Sequence, residues 1–156
     1  MISLVPPWTP NIHPLVIHFP IVLIVIAAAI ELIDVLVEQP WLGEVATSFY
    51  IAAAAAAVSA YLTGTQAAST VLIPAMAHPF VAEHRTWALV STCYCVVVVA
   101  IRFAARGAGV RRARSLRALL LAVGLVAVVL IQQTAERGAR LVYEFGTGVI
   151  AGPGSR

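Results

Sequence analysis

Charge is scarce in this chain and lysine is missing altogether. Only 11% of the 156 residues are charged, all ten basic side chains are arginine, and the first 84 residues contain no arginine. With 61% hydrophobic residues and a mean hydropathy of +0.94, a water-soluble fold is excluded. No phosphate-binding glycine loop, serine triad, metalloprotease helix or pair of catalytic carboxylates occurs, which argues against an ordinary soluble-type enzyme. A basic face for nucleic acid would need a soluble surface to display it, so nucleic-acid binding does not follow from the arginines. The two cysteines, Cys93 and Cys95, lie two positions and about 200° apart on a helix. They cannot easily bridge each other, and the redox compartment stays open. Met1 to Asn11 lacks the positive charge of a secretory leader. Its Pro6, Pro7 and Pro10 predict an extended lead-in, with Trp8 at the water–lipid interface.

What the chain does have is four apolar runs, 15–37, 45–68, 86–103 and 116–132. At about 1.5 Å per residue, each crosses or nearly crosses a hydrocarbon core of about 30 Å. The fold class is therefore all-α, a single four-span membrane bundle over residues 1–156, with a polar tail at 133–156 folded back over one mouth. The segment from Arg102 to Arg117 holds six arginines in sixteen positions. The positive-inside rule places it in the cytoplasm, with both termini on the periplasmic side of a bacterial inner membrane. Arg85, Arg137, Arg140 and Arg156 then fall outside and need a reason.

His13-Pro14 with His18 opens the first span, and His78-Pro79 with His84 leads into the third. Proline suits a first helical turn, so the echo marks two helix starts. It also fits two helical hairpins related by a pseudo-twofold axis along the membrane normal. Four histidines then gather at one membrane face, where ionisable side chains are costly and tend to mark function. His18 and His84 are expected at similar depth on two parallel helices, the arrangement that ligates haem b from both faces. His13 and His78 are shallower rim residues, and an unwound first turn would let His13 replace His18. Arg85, Arg137 and Arg140 could pair with the haem propionates.

A copper or zinc site is the competing expectation for His18, His84 and His13, with Met76 adding a thioether. The members of each histidine pair are about 140° and 120° apart in helical projection, which opposes a compact cluster. A non-catalytic assembly subunit, whose histidines meet only lipid or neighbouring chains, is the other alternative. Glu31, Asp34 and Glu38 share one helix face and are expected to pair with Arg102 and Arg106 at the far end. Ala52 to Ala57 and Gly64 permit close helix approach. Thr63, Thr65 and Gln66 are candidates for hydrogen-bonding a ligand or quinone head group.

The opening His13-Pro14-Leu15-Val16-Ile17-His18-Phe19-Pro20-Ile21 and the closing stretch from Gly138 through Leu141-Val142-Tyr143-Glu144-Phe145-Gly146-Thr147-Gly148-Val149 resemble the bacterial membrane family catalogued as domain of unknown function 2231. The match runs from about residue 11 to 150. The resemblance implies a small four-helix membrane protein whose relatives are sometimes joined to cytochrome c or iron–sulfur domains, and thus a place in electron transfer. It implies His13, His18 and His84 as motif histidines, while Phe145 stands where relatives often carry histidine. The expected function is a haem-b electron-transfer subunit, partnered by a periplasmic cytochrome c or a larger membrane complex, with a quinone as a further ligand.

Overall fold

The computed structural model describes residues 11–107 and 113–149. The expected lead-in with Trp8, together with Arg111, Arg112 and Arg156, lies outside the described residues. The chain forms α1 (His13–Val16), α2 (His18–Val37), α3 (Pro40–Thr70), α4 (His78–Gly107) and α5 (Arg114–Tyr143), with a 3₁₀ turn at Ala75–Ala77. Helices α1 and α2 run on through Ile17 and together make the first of four segments long and apolar enough to cross a membrane. Among the described residues there is no strand, and the protein is an all-α four-helix bundle.

Proline sets the joints. Pro14 sits in the first turn of α1, where its missing N–H removes no helical bond. Pro40 forces the preceding Gln39 into extended backbone, so α2 and α3 are separated by Glu38 and Gln39 alone. Glu38 takes the left-handed conformation at φ 57°, and its N–H donates to the Asp34 carbonyl.

Helices α2 to α5 form a closed ring in which α2 packs on α3 and α5, and α4 packs on the same two. The interior between them is narrow because the residues facing it are small. Ala27, Ala53, Ala54, Ala57, Cys95 and Ala127 are buried there, with Ile24 and Val98 filling the larger gaps. Lipid tails are as apolar as leucine, so such helices associate through close packing and interhelical hydrogen bonds rather than by expelling water. Phe19, Val22, Ile33, Leu36, Val97, Leu125 and Val129 point outward from the bundle, as a lipid-facing surface requires.

The helices extend past the apolar runs. Helix α4 begins at His78, eight residues before the run at 86, and α5 continues to Tyr143, eleven residues past 132. Residues 133–143 are thus helix rather than tail. The turn-back follows at Gly146, whose φ of 61° lets its N–H bond the Val142 carbonyl. Phe145 then stacks on Phe80, with ring centroids 4.5 Å apart.

Candidate functional site

Polar residues inside the bundle form two groups, one at each end. At the Arg-rich end, every acidic residue comes from α2, α3 or the joint between them, and every arginine from α4 or α5. Arg102 Nη1 donates to Glu31 Oε1 at 2.6 Å, with both side chains nearly inaccessible. Arg102 Nε donates to Thr47 Oγ1, and its guanidinium lies 4.3 Å from the centre of the Tyr50 ring. Tyr50 donates its hydroxyl to Glu31 Oε2 at 3.1 Å. Arg117 pairs with Asp34 and Glu38, Arg106 with Glu44, and Arg114 more loosely with Glu38. The expected pairing of the Glu31 face with Arg102 is present, whereas Arg106, expected on the same face, pairs with Glu44 of α3. Arg117, Tyr50 and Glu44 join it without having been expected, since nothing in their local spacing says which helix faces meet.

Gly124 on α5 makes this geometry possible. A Cβ there would lie 2.0 Å from the Tyr50 hydroxyl and 2.8 Å from Glu31 Oε2. Helices α2 and α4 lie diagonally across the ring, as do α3 and α5. The Glu31–Arg102 pair spans the first diagonal and Tyr50 against Gly124 the second.

The histidine end is built from two similar halves. His13 Nδ1 lies 3.2 Å from Thr63 Oγ1, and the Ala60 carbonyl is also within its reach. The Thr63 hydroxyl already donates to the carbonyls of Ser59 and Ala60. With its one hydrogen on either carbonyl, the Thr63 oxygen can accept from His13 when that ring carries its proton on Nδ1. His84 Nδ1 lies 3.1 Å from the Thr134 carbonyl, which can only accept, so His84 is an Nδ1–H donor. A neutral ring held in this way leaves its lone pair on Nε2, the tautomer in which a metal-binding histidine is usually held by its outer partner.

Each imidazole also rests against a glycine. A Cβ on Gly64 would come 2.9 Å from His13 Cε1, and one on Gly138 would come 3.1 Å from His84 Cε1. Gly64 follows the start of α3 by 24 residues (64 − 40), and Gly138 follows the start of α5 by 24 (138 − 114). Ala60 and Thr134 each stand four residues before their glycine. The two hairpins thus repeat the same elements: a histidine in the first helix of each, and a carbonyl with a glycine clearing near the end of the next.

The remaining candidates lie elsewhere. His18 and His78 are exposed on the outside of the bundle, and His18 borders an apolar groove with Phe19, Val22 and Leu23. His13 rests against Thr63 and Gly64 of α3, whereas His18, about 140° away in projection, is exposed. Arg137 donates to Glu83 at 2.7 Å and lies over the Trp87 ring, and Arg140 holds Glu144. Arg85 is exposed. Thr65 spends its hydroxyl on the Leu62 carbonyl. Cys93 is exposed and Cys95 buried, both as thiols.

Among the described residues, no three of His, Cys, Asp and Glu gather as a metal-ion site. No curated protein and no solved structure matches the chain. The family described as a predicted membrane protein, DUF2231, matches residues 9–151, nearly the whole chain, and the protein belongs to that family.

Proposed function

We propose that the protein is a membrane-embedded electron-transfer subunit that carries haem b between His13 and His84. The observation behind this reading is the matched pair of imidazoles, one from each hairpin, each with Nδ1 within hydrogen-bonding distance of an oxygen of the next helix. Two axial nitrogens suffice for haem, whereas a structural copper or zinc site needs three or four protein ligands. When bound, the haem iron supplies a one-electron carrier.

The chain's own residues do the rest. Thr63 and the Thr134 carbonyl set the ring planes and raise the basicity of Nε2. Gly64 and Gly138 leave room for the rings. Arg137 and Arg140 already hold protein carboxylates, so a propionate would bind there only by replacing Glu83 or Glu144. Electrons would pass to a periplasmic cytochrome or a larger membrane complex if the histidine end faces outward, as the arginine-rich segment suggests. A reducible Soret and α band in the purified protein is the expected result. A preparation made with ample haem that shows neither band would refute the reading.

A further inference from the structure

The Arg-rich end contains a cavity of about 200 Å³ lined by Glu31, Asp34, Pro40, Glu44, Arg102 and Arg117, among others. Two of its walls have unmet hydrogen-bonding needs. Asp34 is only 6% exposed and Arg117 only 7%, yet Asp34 Oδ1 and Arg117 Nη1 make no hydrogen bond. Arg117 Nη1 is 3.2 Å from Glu38 Oε2, an ion pair without the alignment of a hydrogen bond. Asp34 Oδ2 is 3.8 Å from Arg117 Nε, again an ion pair only. Buried polar groups in native proteins are almost always satisfied by protein or ordered water, so the two atoms call for a partner, water or ligand, that the chain itself does not supply.

The two atoms specify that ligand's chemistry. It must donate a hydrogen bond to a carboxylate and accept one from a guanidinium beside it. A simple anion would face the Asp34 carboxylate, and a simple cation would face Arg117. Trp41, 61% exposed, follows the cavity-lining Pro40 in the first turn of α3, and an exposed indole there suits the water–lipid interface. We infer that this cavity binds a phosphoethanolamine head group, its ammonium on Asp34 and its phosphate on Arg117, supplied by a phospholipid of the surrounding bilayer. Phosphatidylcholine carries the same phosphate, but its quaternary ammonium has no N–H and cannot satisfy Asp34.

The test uses the whole protein, purified in detergent and given equal amounts of phosphatidylethanolamine, its mono- and dimethyl derivatives, phosphatidylcholine and phosphatidylglycerol. Retained lipid is counted by native mass spectrometry. Retention should hold through the dimethyl head group and fall about tenfold at the third methyl, which removes the last N–H donor. Asp34→Asn should abolish the preference, while Glu38→Gln keeps it. Because the methyl series uses the unaltered protein, it stands even if the Asp34 variant fails to fold. Equal retention of phosphatidylethanolamine and phosphatidylcholine would overturn the proposal, leaving a cavity that holds water. Preferred retention of phosphatidylglycerol would overturn it in favour of an anion site. Persistence of the lipid under excess soluble phosphoethanolamine would support the lipid as source, and displacement would support recognition of the head group alone.

Discussion

Arg102 and Glu31 meet across the diagonal of the bundle at 2.6 Å, with each side chain no more than 3% exposed. The pair joins the first hairpin to the second, with both side chains almost wholly removed from solvent. Removing one partner should cost about 3–5 kcal/mol, because the other is left as an uncompensated buried charge. Glu31→Ala and Arg102→Ala are each expected to lower the unfolding midpoint strongly. The double variant should lose much less than the sum, and full additivity in a double-mutant cycle would show that the two side chains are uncoupled.

Gly124→Ala should destabilise the bundle by about 1–3 kcal/mol, since the new methyl overlaps the Tyr50 hydroxyl. Tyr50→Phe removes that oxygen and should recover part of the loss. The ring carbon beneath it, 3.2 Å from where the methyl would sit, keeps the recovery incomplete. Unfolding midpoints of the two single variants and the double variant in one detergent check this. An unchanged midpoint in Gly124→Ala would mean that α5 can move away from Tyr50 without cost.

Beyond the end of α5, the hydrogen bond from Arg140 holds the Glu144 carboxyl below its usual range, with the arginine's charge acting in the same direction. A depressed carboxyl pKa contributes stability that is present above the ordinary glutamate value and lost as pH falls through the lowered one. The effect on stability should be slight at so exposed a pair. Carboxyl resonances should therefore show Glu144 titrating below an ordinary glutamate, and Arg140→Ala should return it to normal. A titration that Arg140→Ala leaves unmoved would contradict the contact.

The four spans were legible because hydropathy is a property of composition, and a run of about twenty apolar residues has few alternatives. Their ends were not. Residues 78–85 and 133–143 are polar enough to read as loops, yet they continue as helix because pairs such as Arg137 with Glu83 support them across the α4–α5 interface. The acidic face at Glu31, Asp34 and Glu38 was readable from its spacing of three and four. Arg117 and Tyr50 were not, since their partners depend on which helices lie diagonally opposite. His13 and His18 show the same limit: about 140° separates them in projection, so at most one can face inward. Only the rotation of the first helix decides which.

The glycine clearings give the histidine site a steric test. Gly64→Ala and Gly138→Ala each press a methyl against an imidazole, more tightly at Gly64. Both variants should lose haem or shift its α band while retaining helicity by circular dichroism. Wild-type spectra in both would mean that the rings turn away from the glycines when haem binds.

Haem retained by four single variants, measured as pyridine haemochrome per protein after identical purification, tests the central assignment most directly. His13→Ala and His84→Ala should each lose nearly all haem, because each removes one of the two inward nitrogens. His18→Ala and His78→Ala should retain it, since both side chains lie on the outside of the bundle. Loss of haem in His18→Ala, with full retention in His13→Ala, would contradict the account.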